Sequence, residues 1–233
     1  MNILALIPAR GGSKGINRKN LITINGKSLV EHSIHHAINS ELINRVIVST
    51  DDDEIAEISI NAGAEVPFLR PKHLAEDHVL DLPVFQHALN YLKQEENYVP
   101  DYVVHLRPTS PYRKKGWIDS AIDLLKSNIN ADSVRSVSEV QQHPYRVFDI
   151  GRDGFLEPIM SHREKEPFLL RRQDLPKMFF YNCVIDVTKP STIELLESMT
   201  GKKILPFEIS SDDVFDIDSN RDYQIAKSLL EKR

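Results

Sequence analysis

From Ile3 to Val137, short apolar runs alternate with stretches whose apolar residues recur every three or four positions, and this alternation limits the fold more than any other feature. Ile3 to Ile7 is continuously apolar and ends at Pro8; Val46-Ile47-Val48, Tyr102–Leu106 and Val134–Val137 repeat the pattern. Runs of this length without polar alternation read as strands buried on both faces, as in a parallel sheet. Between them, Leu29, Val30, Ile34, Ala37 and Ile38 fall at helical spacing, as do Ile55, Ile58 and Ala62, where Gly63 is placed to stop the helix. Phe85, Ala88, Leu89 and Leu92 form a third stripe, with Asp81 a candidate N-cap and Pro83 in the first turn. Ile118, Ala121, Ile122 and Leu125 form a fourth. Strand and helix in strict succession predict an α/β fold whose mostly parallel sheet is covered on both faces.

The pattern breaks between residues 139 and 177, where prolines stand at 144, 158, 167 and 176 and Gly151-Arg152-Asp153-Gly154 reads as a turn. A long structureless loop inside a compact domain is improbable, so this segment is expected to be an excursion with short strands of its own, packing on a second subunit. Alternation then resumes, with Phe179–Val187 as a strand, Ile193–Met199 as a helix, Ile204–Phe207 as a strand and a last helix from about Ser219.

A chain of 233 residues is long enough for a full core without disulfides, and Cys183 is its one cysteine. The net charge of −5 excludes the basic face that non-specific nucleic-acid binding needs. No apolar run reaches the ~20 residues that span a bilayer, and the start lacks the basic region of a signal peptide. A soluble cytoplasmic protein, without nucleic-acid or membrane partners, is therefore expected.

Charge is unevenly spread. Residues 1–30 carry Arg10, Lys14, Arg18, Lys19 and Lys27 with no acid, whereas residues 208–222 carry six acids against Arg221. These are either two halves of one site or two solvated faces. The segment from Pro8 to Asn20 leaves the carboxyl end of the first strand, where open α/β sheets bind ligands. Gly11, Gly12 and Gly15 let backbone approach a phosphate, and the four cations in that segment offer charge-assisted hydrogen bonds. Neither GxxxxGK[ST] nor GxGxxG is present. In Phe215-Asp216-Ile217-Asp218, extended backbone would put both carboxylates on one face. Such a pair suits Mg²⁺ with substrate phosphates; the alternative is that Asp218 caps the following helix and Asp216 faces solvent.

The opening Ile7-Pro8-Ala9-Arg10-Gly11-Gly12-Ser13-Lys14-Gly15-Ile16-Asn17-Arg18-Lys19-Asn20 resembles the IPARGGSKGIPRKN start of bacterial acylneuraminate cytidylyltransferases, the CMP-sialic acid synthetases. Val48–Asp52, Leu69-Arg70-Pro71, Leu106–Arg113, His143-Pro144, Arg172–Pro176, Asn182 and Phe215–Asp218 resemble later motifs of that family in the same order. The resemblance implies a single nucleotide-sugar-transferase, Rossmann-like α/β domain over residues 1–233, with residues 139–177 as a dimerisation segment. It implies transfer of CMP from CTP to a sialic-acid-like nonulosonic acid, with Mg²⁺, in a homodimer. Arg10 and Lys19 would bind the triphosphate, and Ala9, Gly11, Asn20, Arg70 and Asp77 would complete the nucleotide pocket. Asp216 and Asp218 would hold the metal; Arg107, Thr109, Ser110, Arg172, Gln173 and Asn182 would lie on the sugar side. The sequence leaves the proton acceptor open between a metal-held water and an Asp of the acidic pair.

Three departures fall on the sugar side: Arg107 for a usual Gln, Cys183 for a usual Gly, and Asp186 for a common aromatic residue. They make CTP better supported than N-acetylneuraminate, with a legionaminic-type sugar as an alternative. A 3-deoxy-octulosonate enzyme is disfavoured by Gly11–Gly15 and Lys19-Asn20, and a silent nucleotide-sugar sensor by the intact charged residues. His32, His35 and His36 share a predicted helix without carboxylate company and read as surface or packing residues, as do Cys183 and Trp117. The chain is also expected to lack the phosphatase-like extension of some relatives.

Overall fold

Every residue of Ile3–Ile7 is fully buried, because the strand they form lies in the middle of a sheet covered on both sides. The computed structural model describes residues 1–160 and 166–232. In chain order the first elements are β1 (Ile3–Pro8), β2 (Thr23–Ile24), β3 (Lys27–Ser28), α1 (Leu29–Ile38), β4 (Arg45–Ser49), α2 (Asp53–Asn61), α3 (Asp81–Glu95) and β5 (Tyr102–His105). They continue with α4 (Trp117–Lys126), β6 (Ser133–Glu139), β7 (Phe148–Ile150), β8 (Leu156–Pro158), β9 (Phe179–Thr188), α5 (Pro190–Glu194), β10 (Ile204–Glu208) and α6 (Asn220–Leu230).

Six strands form the central sheet in the order β10-β6-β9-β5-β1-β4. β1 pairs parallel with β4 and β5, and β10 with β6, as the continuous apolar runs imply. The side chains of β1 divide by parity. Ile3, Ala5 and Ile7 pack with Val30 and Ile34 of α1 and Ile122 of α4. Leu4 and Leu6 meet Phe85, Ala88 and Leu92 of α3 on the opposite face. Gly63 has φ +94 just beyond α2, the left-handed stop expected there.

The strand expected at Phe179–Val187 is β9, and it runs antiparallel to both β5 and β6 in the otherwise parallel central sheet. Its register with β6 jumps from Arg135↔Asp186 to Val137↔Tyr181, and Cys183 inside that bulge has φ +60. A left-handed position favours glycine, which explains the Gly that the resemblance leads one to expect there. The helix expected at Ile193–Met199 is a single turn, Pro190–Glu194; Ile193 packs toward α3, while Leu195 and Leu196 are exposed and Glu197 turns left-handed. Asp81 is not an N-cap: Leu80 holds that position without a side-chain bond, and Asp81 is inside the first turn.

The excursion contains the β7–β8 hairpin, closed at the expected turn by Gly154 N–H donating to the Gly151 carbonyl at 2.9 Å. The part of the 139–177 expectation that falls on residues 161–165 lies outside the described residues. A separate apolar cluster joins Ile16, Ile24 and Leu29 to Phe215, Ile217, Ala226 and Leu230. It packs the basic start of the chain against its acidic end, so the two charged segments are halves of one region.

Candidate active site

The loop after β1 is built to present its backbone. Ala9 N–H donates to the Ser49 carbonyl at 2.9 Å, and Gly11 N–H to Asp51 Oδ1 at 2.9 Å, which ties the loop to the end of β4. Asn20 Nδ2 donates to the Arg10 carbonyl at 2.8 Å and closes the loop on itself. A Cβ at Gly15 would overlap the Asp218 carbonyl oxygen, so the loop and the acidic segment approach backbone to backbone. The acidic segment is anchored in turn by Ile217 N–H donating to the Thr109 carbonyl at 3.0 Å.

A cleft of about 240 Å³ opens at the carboxyl ends of β1 and β5. Arg10, Lys19, Asn20, Arg70, Asp77 and Arg107 are among its walls, and Gly12, Ser13 and Thr109 also line it. It is the crevice expected outside the strand ends of an open α/β sheet, assembled from the loops after three strands.

The four loop cations have different roles. Arg18 is committed to structure: its guanidinium pairs with Asp52 at 2.6 Å and Glu54 at 2.6 Å, and Asp52 caps α2. Burial works against the Asp52 carboxylate, but Arg18 and backbone N–H groups outweigh it and hold the group below its ordinary value. Lys14 is exposed and reaches Asp77 at 3.0 Å. Arg10 meets the same carboxylate at 2.8 Å and donates to the Ala75 carbonyl at 3.1 Å. Lys14 first, and then Arg10, hold Asp77 below the usual carboxylate range. Lys19 pairs with Asp218 Oδ1 at 2.9 Å. Arg10 and Lys19 are the two loop cations on the cleft, so four candidates reduce to two.

Arg70 is 5% exposed and donates through Nε to Ser49 Oγ at 3.0 Å and through Nη2 to the Ser49 carbonyl. Burial lowers its pKa to about 10, with Asp51 and Asp81 opposing. Phe215 and Ile217 are buried while Asp216 and Asp218 are exposed, so the two carboxylates do share a face. Atoms crowded about the Asp216 carboxyl displace water and push its pKa up, and the charge of Asp218 pushes it further. Ser219 caps α6 and Asp222 completes its capping box, so Asp218 is not the helix cap. Among the described residues no cluster of three or more His, Cys, Asp or Glu side chains is arranged for a metal.

Arg107 is held rather than free. Nη1 lies 2.7 Å from Asp186 and Nη2 lies 2.9 Å from Asp81. Burial opposes its charge, but Asp186, Tyr181 and Asp81 outweigh burial and keep it firmly protonated. Arg113, fully buried, donates to the carbonyls of Val184 at 2.8 Å, Ser110 at 2.7 Å and Arg107 at 3.0 Å, and so shapes the loop after β5.

Of the other expected sugar-side residues, Thr109 lines the cleft, whereas Ser110, Asn182, Arg172 and Gln173 do not. Ser110 is buried, and its hydroxyl has no hydrogen-bond partner among the described residues. Asn182 is buried in the β9 bulge, donating to Ser138 Oγ at 2.9 Å and accepting from Val184 N–H at 3.2 Å. Arg172 and Gln173 lie on an exposed single turn of the excursion. His32 and His36 bond backbone oxygens of Ile24 and Pro111, as packing residues do. Sequence reasoning missed Asp81 and left Asp186 without a role, because their meaning lies in one partner, Arg107, that is distant along the chain.

The family model described as Cytidylyltransferase matches residues 4–149. A pseudaminic acid cytidylyltransferase of Campylobacter jejuni is 32% identical, over 98% of this chain and 96% of that protein. A CMP-N,N'-diacetyllegionaminic acid synthase of the same species is 33% identical, over 98% and 94%. A solved CMP:2-keto-3-deoxy-manno-octonic acid synthetase complexed with CTP superposes with a TM-score of 0.74 at 13% identity, covering 100% of this chain and 99% of that one. That last likeness is one of fold.

Proposed function

This chain belongs to the cytidylyltransferase family, and we propose that it transfers CMP from CTP to a sialic-acid-like nonulosonic acid and releases pyrophosphate. The observation that carries this reading is the convergence of Arg10, Lys19, Asn20 and Arg70 on one cleft, with Asp218 paired to Lys19 and Asp216 bonded to Thr109, both of them cleft residues. The anomeric oxygen of the sugar replaces pyrophosphate on the α-phosphorus, one P–O bond forming as the other breaks, and the hydroxyl proton passes to a water or to a carboxylate of the acidic pair. Arg10 and Lys19 neutralise charge on the phosphates, exchanging Asp77 and Asp218 for phosphate oxygens. Gly11 and Gly12 let backbone come close to the nucleotide. Asn20 keeps the loop closed over the base and ribose side.

Mg²⁺ is part of this reading. Asp216 and Asp218 are adjacent like charges that raise the cost of ionising Asp216, and a divalent cation relieves that repulsion. The ion supplies charge neutralisation to the triphosphate, with the two carboxylates as its protein ligands. A homodimer is also part of it. Ile150, Phe155, Leu156, Ile159 and Leu169 are exposed apolar residues on the excursion, and such a surface fits a second copy. The setting is the cytoplasm, where CTP is supplied, and the product is an activated sugar for surface glycan assembly. Among the described residues no helix is long and apolar enough to cross a membrane.

The test is pyrophosphate release with CTP, ATP, GTP and UTP against a panel of nonulosonates and 3-deoxy-octulosonate. CTP-dependent turnover confined to nonulosonates is expected. Turnover confined to octulosonate, or none with any sugar, rejects the reading.

A further inference from the structure

The inner end of the cleft holds a charge relay that phosphate binding does not use. It starts from Asp186, 1% exposed in β9, which faces His105 across β5 and Arg135 across β6 in register. A carboxylate buried between strands is costly unless paired. Asp186 Oδ2 takes Arg107 Nη1 at 2.7 Å and also accepts the Tyr181 hydroxyl. Arg135 Nε stands 3.7 Å from Oδ1. His105, buried against Phe85 with its ring pushed toward neutrality, brings no charge. The second terminal nitrogen of Arg107 goes to Asp81 at 2.9 Å.

Both terminal nitrogens of Arg107 are therefore committed, and the planar fork that would grip a sugar carboxylate is taken. What the relay offers the cleft is Asp81. Its side chain is 41% exposed, it accepts hydrogen bonds without donating any, and Arg107 neutralises its charge beside anionic substrates. Val79, Leu80 and Val84 line the same part of the cleft. An acceptor flanked by apolar side chains complements an N–H group that carries a short apolar tail. A hydroxyl would satisfy the acceptor but leave the apolar neighbours uncovered.

We infer that Asp81, oriented by Arg107 and Asp186, receives the N–H of an acylamido substituent on the sugar, and that this relay selects which nonulosonic acid is used. The inference rests on the proposed function. Asp81 is the contacting residue; Arg107 and Asp186 are positioning residues.

The experiment compares two nonulosonates that differ by one acylamido-for-hydroxyl replacement, measured by pyrophosphate release with wild type, Asp81→Ser, Arg107→Gln and Arg107→Lys. Wild type is expected to have the lower KM for the acylamido sugar. Asp81→Ser should raise that KM about tenfold or more, because a shorter neutral hydroxyl replaces the carboxylate acceptor of the N–H, while the KM of the hydroxyl analogue, whose OH can donate to or accept from serine, changes less and the KM of CTP changes little. Arg107→Gln should shift sugar KM in the same direction, with kcat largely kept at saturating sugar, and Arg107→Lys should restore part of the loss. A merely structural relay would lower thermal stability without changing sugar preference, which overturns the inference. So does a change in CTP KM alone, or an equal loss on both sugars. If wild type turns over neither sugar, the proposed function fails and the inference with it; if wild type turns over and Asp81→Ser keeps its preference, the inference alone fails.

Discussion

Replacing Gly15 by Ala tests whether the acidic segment braces the basic loop. A Cβ at Gly15 overlaps the main-chain oxygen of Asp218, an obstacle that no rotamer change removes. Gly12 lies in the same loop with nothing within 4 Å of the corresponding position. Either Gly→Ala change restricts the unfolded chain and stabilises by about 0.4–1 kcal/mol. That contribution is common to both variants and cancels in their difference. What remains is overpacking at residue 15, about 1–3 kcal/mol. Gly15→Ala should therefore be about 1–3 kcal/mol less stable than Gly12→Ala, read from urea midpoints at a shared m-value. Clearing the overlap also carries Lys19 away from its 2.9 Å contact with Asp218. A misplacement of about 1 Å at a group that positions substrate can cost about 10²-fold in rate. CTP-dependent pyrophosphate release should fall accordingly relative to wild type. Equal unfolding midpoints for the two variants, together with wild-type turnover in Gly15→Ala, would refute the bracing contact.

Arg10→Ala and Lys19→Ala should each lose about 1.5–3 kcal/mol of phosphate interaction, seen as a drop in kcat/KM for CTP; unchanged kinetics in both would remove them from the triphosphate site. Asp216→Asn and Asp218→Asn should lower Mg²⁺-dependent turnover by about 10²–10³ with little change in Tm, since Ser219 rather than Asp218 caps α6; lost Tm with full turnover would reverse that assignment. Burial, helped by Arg113, lowers His36 from the ordinary 6.5 to about 4. Between those values the unfolded chain takes up a proton that the folded chain resists, so stability present at pH 7 falls as pH drops through that window. His36→Gln should flatten this part of a urea-unfolding pH profile, and an unaltered profile would contradict the buried neutral ring. At φ +60 the side chain of Cys183 costs about 1–2 kcal/mol, so Cys183→Gly should match or exceed wild-type stability in thermal unfolding; a clear loss would mean that thiol packing outweighs the strain.

The sequence alone determines the α/β class, the strand carrying the basic glycine-rich loop, and, once Phe215–Asp218 is extended, the placement of its two carboxylates on one side. Each follows from a local rule. A continuous apolar pentapeptide must be covered on both faces, and alternation of buried Phe215 and Ile217 turns Asp216 and Asp218 the other way. Local rules are silent on partners. Nothing in Phe179–Val187 distinguishes a parallel from an antiparallel strand, because either direction buries the same side chains; the ladder with β5 and β6 decides it. Arg10 and Arg18 look alike in a run of cations, yet Arg18 is spent on Asp52 and Glu54 while Arg10 faces the cleft. The alternatives for the charged ends of the chain, one region or two, are resolved when Ile16, Leu29, Phe215 and Ile217 share an apolar cluster. Asp81 reads as a helix cap by position and Asp186 as an oddity by type. Only folding sets both beside Arg107, 26 and 79 residues away along the chain, because a charge pair is defined by distance in space and not by spacing in sequence.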